Sequence, residues 1–387
     1  MEFSLTFSFF LIFAGAAVLA TMALFTRQPL LIAYIVLGAL IGPFGLGFVK
    51  DLALLSDIAQ IGIIFLLFLL GLDMQPRALL AVMKQATLVA IASSIVFAAA
   101  GYFIGKLFGF DPTERFVIGA AMMFSSTIIG IKLLPTTVLH HKHMGDLMVG
   151  LLLLQDVLAI IVLMFLMQYG GHENARPIWL SIAALPLLVG AAMVFVRLVL
   201  LKLIARFDRF HEYIFLVAIG WCLGLAEASK LLGLSEEIGA FVAGISLATS
   251  PIAQYIATNL KPLRDFFLIL FFFALGARFD LSLLPSIAIP ALVLAAVMLA
   301  LKPVTYRLLL RSMSETPLLA WDVGFRLGQI SEFSLLIAYL AASLALIGKE
   351  ASHVIQATAI ITFVISSYIV IFNYPNPIAV SDKLRRD

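Results

Sequence analysis

Leu151-Leu152-Leu153-Leu154-Gln155-Asp156-Val157-Leu158-Ala159-Ile160-Ile161 is a run of aliphatic side chains interrupted by one amide and one carboxylate. Outward from it the chain stays apolar over about 145–168, enough for one membrane crossing at about 20 residues per span. A charge at the centre of such a helix costs about 2.5–3.5 kcal/mol on insertion scales, so Asp156 needs a reason to be there. One reason is chemical. An ionised carboxylate in hydrocarbon binds a dehydrated cation and a neutral one holds a proton, but hardly both together, and that competition is itself an exchange mechanism. The other is structural: a buried Asp paired with Lys or Arg for packing.

The composition carries the same message along the whole chain. Of 387 residues, 63% are hydrophobic and 12% charged, against about 25% charged in ordinary soluble domains. A soluble protein this apolar would expose large aggregation-prone patches; a bilayer demands this composition. Net charge is +3, which gives a nucleic-acid partner no electrostatic footprint. The single Cys222 excludes a disulfide framework and a cysteine-based metal site. No nucleophile–base pair or metal motif stands in any loop, so an enzyme is not expected.

Apolar runs of spanning length recur at roughly 4–26, 29–47, 56–72, 85–108, 114–135, 145–168, 177–205, 211–231, 236–248, 261–277, 286–310, 317–345 and 352–373. They predict an all-α polytopic membrane protein of about 13 transmembrane helices. The first run lacks a basic leader and an A-x-A site, so it reads as a retained helix rather than a signal peptide. The ninth is short enough to be partly re-entrant.

Joints after odd-numbered runs hold Arg27, Arg77, Lys84, Lys142, Arg206, Arg209, Lys261, Arg264, Arg307 and Arg311, and the tail adds Lys383, Arg385 and Arg386. Joints after even-numbered runs hold Lys50, Lys106, Arg115, Arg176, Lys230, Arg278 and Lys349. The positive-inside rule then predicts an external N-terminus and a cytoplasmic C-terminus.

A weak internal repeat lies at an offset of about 205 residues, the symmetry expected of transporter halves. LFLLGLDMQPRALL within Phe65–Leu80 resembles LFFFALGARFDLSLL at Leu270–Leu284, and Gly38-Ala39-Leu40-Ile41-Gly42 resembles Gly239-Ala240-Phe241-Val242-Ala243-Gly244. The fifth and sixth runs then match the twelfth and thirteenth. Seven runs separate the fifth from the twelfth, so the two copies have opposite topology.

Other polar groups lie within apolar runs. Ser125-Ser126-Thr127, followed by Gly130, Lys132 and Pro135, supports either a helix break that frees carbonyls as cation ligands or ordinary Ser/Thr back-bonding. The twelfth run holds Arg326, Gly328, Gln329, Ser331 and Glu332. Arg326 and Glu332 share no helical face unless the helix breaks between them; structural pairing is the expected role. Lys302, before Pro303, has three readings: a pair with Asp156 in the absence of an ion, a tie across broken helices, or a stem snorkelling to the cytoplasmic interface. His140, His141 and His143 flank Lys142 as a pH-sensing group, a metal site or a solvated loop. Glu236 and Glu237 suit the positive end of a helix, and Asp73 and Asp280 end helices at loops.

Leu154-Gln155-Asp156 with its apolar run, Phe124-Ser125-Ser126-Thr127, Gly239–Gly244 and Gly328-Gln329-Ile330-Ser331-Glu332-Phe333 together resemble the second monovalent cation:proton antiporter family, and within it the Kef-type potassium efflux antiporters. Leu40-Ile41-Gly42-Pro43 and Phe68-Leu69-Leu70-Gly71-Leu72 fit the same pattern. The resemblance implies a sodium/proton-antiporter-like fold with inverted repeats and two crossed broken helices. It implies scaffold and dimer helices over about 4–72 and 211–277, ion-transporting core helices over about 85–168 and 286–373, and a linker helix over about 177–205. It implies a homodimer in the cell (inner) membrane, in contact with lipid, that moves its ion by an elevator step.

By likeness, Asp156 is the ion- and proton-binding carboxylate, with Gln155, Ser125, Ser126 and Thr127 around the ion and Lys302, Glu332 and Arg326 as supporting charges. The ion is a monovalent cation as substrate, potassium ahead of sodium, and no cofactor is implied. Gln155-Asp156 instead of two adjacent acids implies one proton for one cation, hence electroneutral transport. Kef-type members usually continue into a cytoplasmic nucleotide-binding domain, whereas this sequence ends at Arg386-Asp387. The resemblance allows a regulatory cytoplasmic domain or subunit outside this chain as a partner, and ligand gating of that type is not carried over to it. Gly71-Leu72-Asp73-Met74 departs from members with Glu in place of Asp73, which weakens any carry-over of regulatory contacts. Two rival functions stay open: a sodium-coupled organic-anion transporter on the same fold, and a channel-like cation pore.

Overall fold

The structure is a computed structural model that describes residues 5–49, 52–73, 76–132, 134, 143–169, 178–207, 209, 211–232, 234, 236–250 and 252–376. The chain divides into two compact units: Met1–Val18, Tyr34–Arg77 and Met167–Arg278 form one, and Leu19–Ala33, Ala78–Leu166 and Phe279–Asp387 form the other.

The first unit contains the early part of α1 (Leu5–Phe25), most of α2 (Leu30–Ile41), α3 (Leu52–Asp73) and α8 (Ile178–Phe195). A π-helical turn, Val196–Leu200, joins α8 to α9 (Leu201–Arg206). After these come α10 (His211–Leu231), α11 (Glu236–Ala248) and α12 (Ile252–Ala277). Its core is α3 wedged between α11 and α12, with α10 along α11. Glycines set these crossings. A Cβ on Gly244 would collide with Phe68 O, and one on Gly71 would fall 2.9 Å from the Gly244 Cα, so α3 and α11 touch backbone to backbone. The α2–α12 crossing repeats the device: a Cβ on Gly38 would meet Phe273 O, and one on Gly276 would meet Ile35 O. Close approach of this kind substitutes for a hydrophobic drive that lipid does not supply. The glycine runs seen in the sequence are thus contact surfaces between the two repeat copies. The α2 helix and its counterpart α11 each clasp a helix of the other copy.

The second unit holds α4 (Pro76–Leu107), α5 (Pro112–Met122), α6 (Thr127–Lys132) and α7 (His143–Tyr169). It continues through a 3₁₀ turn, Leu281–Leu283, into α13 (Leu284–Ser312), α14 (Pro317–Arg326), α15 (Glu332–Ser343) and α16 (Lys349–Asn373). The α13 helix packs on α14 and α16, while α15 packs on α16 and α5. The repeat is visible in helix boundaries. α5 and α14 both open on proline, at Pro112 and Pro317, where the missing N–H costs nothing. α6 and α15 open on Thr127 and Glu332, and both pairs are about 205 residues apart.

Among the described residues seven helices are long and apolar enough to cross a membrane, and Leu30–Ile41, Gln60–Leu69 and Glu332–Ser343 are shorter apolar helices. The sequence reading of about 13 spans counted runs that the structure divides: 114–135 and 317–345 are each interrupted by non-helical backbone, at 123–126 and 327–331. The α11 helix, the short ninth run, has 13 residues, or about 20 Å.

Candidate functional site

Both interruptions lie in the second unit, and they cross. In the first, Ser126 Oγ accepts from Ile129 N at 3.1 Å and so caps the following half-helix, while Ser125 Oγ donates to Leu327 O of the second interruption at 2.8 Å. Ser and Thr compete with the backbone ladder in this way, which is why three hydroxyl residues in a row end a helix here. Gly130, which the sequence offered as part of the break, lies inside α6 instead. Lys132 ends that helix, and Pro135 falls outside the described residues.

In the second interruption Ser331 Oγ caps α15 by accepting from Phe333 N at 3.1 Å. Ile330 N donates to Thr362 Oγ1 at 3.2 Å. Gln329 Nε2 reaches across to Ser126 O at 3.3 Å, and its Oε1 accepts from Ser366 Oγ at 2.9 Å. Ser334 Oγ donates to Ala121 O, tying α15 to the end of α5.

Lys302 occupies the centre of the crossing. It is fully buried, and its ammonium donates to Phe124 O, to Gln329 O at 3.1 Å and to Ser125 Oγ at 3.3 Å. Three donors meet three acceptors, so the ammonium is satisfied without water. Phe124 and Gln329 are equivalent positions of the repeat, and one lysine thus serves the freed carbonyl of each copy. Of the three readings for Lys302, the structure takes the tie across broken helices; no ion pair joins it to Asp156, and it does not snorkel. The Phe97 ring lies 5.0 Å below the ammonium.

Asp156 is 1% exposed in the middle of α7. Among the described residues the side chain that hydrogen-bonds it is Thr127, whose hydroxyl lies 3.4 and 3.3 Å from the two carboxylate oxygens. Glu332 is close enough for its charge to act on Asp156. Thr127 and Glu332 are the first residues of the two equivalent half-helices, and the carboxylate is hydrogen-bonded by the first of them. Gln155 points elsewhere: its Oε1 accepts from Ser125 N at 3.0 Å and its Nε2 donates to Tyr306 OH at 2.5 Å. Arg326 is buried at the end of α14. It donates to Asp322 one turn earlier at 2.6 Å and to Pro375 O at 2.7 Å.

Seven of the eight residues singled out from sequence therefore converge on one crossing, and Arg326 anchors the outer end of a half-helix beside it. Reading the sequence did not find Tyr306, Thr362 or Ser366. Two signals were present. Tyr306 follows Lys302 by four residues, on the same helical face, and Thr358, Thr362 and Ser366 form a polar stripe of period four in an apolar helix. His140 and His141 lie outside the described residues, while His143 Nε2 contacts Glu315 Oε1 at 2.7 Å on the surface. Glu236 pairs with Lys230, and Asp280 caps the 3₁₀ turn, both structural roles.

Residues 10–372 match the family described as sodium/hydrogen exchanger, transmembrane. The chain is 30% identical over 345 residues to K(+) efflux antiporter 4 of Arabidopsis thaliana, covering 87% of this chain and 58% of that protein. It is 27% identical over 363 residues to the putative cation/proton antiporter YbaL of Escherichia coli (strain K12), covering 91% and 65%. It is 29% identical over 338 residues to the glutathione-regulated potassium-efflux system protein KefC of Klebsiella pneumoniae (strain 342), covering 84% and 54%. The chain thus spans about three-fifths of the length of such relatives. In fold it is similar to the sodium proton antiporter MjNhaP1 of Methanocaldococcus jannaschii, with a TM-score of 0.71 at 18% identity over 95% of this chain and 100% of that one. The crossed, interrupted helices and the extent of the match lead to one conclusion: this chain belongs to the transmembrane sodium/hydrogen exchanger family, on its Kef-type branch.

Proposed function

We propose that the chain exchanges a monovalent cation for a proton across the membrane, with Asp156 as the shared site. The observation that carries this reading is a carboxylate 1% exposed in an apolar helix, hydrogen-bonded by one hydroxyl and not by Lys302. An ionised carboxylate so placed demands a compensating charge. A cation at Asp156 and Thr127 supplies it in one state, and a proton removes the need in the other. Most carbonyls freed by the two interruptions are already taken: Phe124 and Gln329 by Lys302, Leu327 by Ser125, Ser126 by Gln329. Potassium is favoured over sodium in this reading because the efflux antiporters among its relatives carry potassium in their names.

Transport is electroneutral in this reading, because the one carboxylate of Asp156 takes up either one proton or one monovalent cation. The whole site lies within the second compact unit, as an elevator requires. That unit moves as the core, and the first acts as scaffold and homodimer contact. The N-terminus is external and the C-terminus cytoplasmic, in the cell membrane.

The test is collapse of a pH gradient in proteoliposomes by potassium, sodium and lithium, each with and without an imposed membrane potential, for wild type and Asp156→Asn. The expected result is collapse by potassium at a rate indifferent to the potential, and none in the variant. A variant that exchanges as well as wild type would make Asp156 a structural residue. A rate that follows the potential would overturn electroneutrality alone.

A further inference from the structure

Tyr306 is completely buried on α13, and nothing in the exchange chemistry above uses it. Its surroundings fix the direction of its hydrogen bond with Gln155. Ser125 N–H can only donate, so the Gln155 atom facing it at 3.0 Å is the carbonyl oxygen. The other end of that amide is therefore –NH₂, and it donates to the Tyr306 oxygen. The phenol proton then goes to a serine hydroxyl: Ser125 Oγ at 3.3 Å, or Ser93 of α4, which also hydrogen-bonds it. Ser125 Oγ spends its own proton on Leu327 O and accepts from Lys302. The bonds run from Tyr306 of α13 through Gln155 of α7 to Ser125 in the first interruption, and from Ser125 on to Leu327 in the second.

We infer that Tyr306 is a positioning residue for exchange: it clamps Gln155 as a strut that fixes the Ser125 segment, and so aims the Thr127 hydroxyl at Asp156. Both polar ends of Gln155 are committed in this arrangement, and neither is offered to the cation. The amide contributes by holding the ligand-bearing segment in place. The Phe97 ring, edge-on to Tyr306 at 5.5 Å between centroids, seats the phenol from the other side. Tyr306→Phe keeps the ring and its packing but leaves the Gln155 –NH₂ without its acceptor.

This inference rests on Asp156 being the exchange site, and the experiment separates the two. Cation KM and kcat are measured in proteoliposomes for Tyr306→Phe, Gln155→Met, the double variant and Asp156→Asn. Each single variant is expected to raise KM by about three- to tenfold, the worth of one net hydrogen bond, with kcat within about twofold. The double variant is expected to match the singles, because both remove the same strut. Should Tyr306→Phe fail to accumulate in membranes, Gln155→Met against wild type carries the same KM comparison. A KM for Tyr306→Phe within twofold of wild type, or effects that multiply in the double variant, overturns the strut while an inactive Asp156→Asn leaves the exchange site standing. Wild-type exchange by Asp156→Asn overturns both.

Discussion

The two copies of the repeat are fastened in two different ways. In the first unit α2 meets α12 and α11 meets α3 through glycines, and the contacts are backbone against backbone. In the second unit the equivalent meeting, between the two interrupted helices, is made of side-chain hydrogen bonds to carbonyls that the interruptions set free. Glycine contact is strong where helices stay whole, because each helix already satisfies its own backbone. An interrupted helix cannot do that, so every freed carbonyl needs a donor. The donors come from Lys302, Gln329 and Ser125, which leaves a polar centre inside an apolar protein. The first unit thus gains contact without chemistry, and the second cannot be assembled without it.

The sharpest way to break this contrast is Lys302→Met. It removes the donors to two buried carbonyls, each costing about 1–3 kcal/mol when left unmade, so a loss of about 2–6 kcal/mol is expected. Unfolding of the purified protein in mild detergent measures it. A Met variant as stable as wild type would mean that the crossing is held by packing, as in the first unit.

Gly244→Ala tests the other side. The added methyl meets Phe68 O, which is backbone and has nowhere to retreat. Overpacking of this kind costs about 1–3 kcal/mol. Stability should fall while the cation KM stays at the wild-type value. A changed KM would show that the glycine contacts also shape the site.

The smallest effect concerns the 3₁₀ turn at Asp280, where the chain passes from one unit to the next. The Asp280 carboxylate accepts from the Ser282 backbone N–H at 3.0 Å and from its hydroxyl at 2.6 Å, and these bonds hold it below the usual carboxylate range. A lowered folded pKa gives a contribution present above the unfolded value of about 3.9 and lost as pH falls through the lower, folded value. The turn should hold down to about pH 4 and fray below it. Hydrogen exchange at Ser282 N–H follows the change, and Asp280→Asn, which keeps an acceptor but does not titrate, should remove the part of the acid dependence that lies below about pH 4; the His353 ring, which accepts from Asp280 N–H at 2.9 Å, is left in place.

Much of this was legible in the sequence because membrane chemistry is sparse. A charge in an apolar run stands out against its neighbours, so Asp156, Lys302 and the Ser125–Thr127 segment were found at once. Glycine runs and the repeat were visible for the same reason. Roles were harder to read than positions. Lys302 looked equally suited to Asp156 and to a helix crossing, because sequence gives the sign of a charge and not the direction of its side chain. Gln155 adjoins Asp156 in sequence, yet about 100° of helical rotation separates neighbouring side chains, and the amide turns to Ser125 and Tyr306. Span counting missed the two interruptions for a related reason: hydropathy registers the apolar residues on both sides of an interruption and passes over the few residues that end a helix between them.

The offset of about 205 residues that links Phe124 with Gln329 also links Lys302 with Phe97, whose ring lies 5.0 Å from the ammonium. The two residues facing each other at the centre thus hold equivalent positions of the repeat. Phe97→Lys would set two ammonium groups side by side in a buried space, where like charges disfavour each other, whereas the aromatic face attracts the one cation present. The relation between the copies is kept in their helix boundaries and given up at this pair, so the centre of the crossing is where the two copies are not interchangeable.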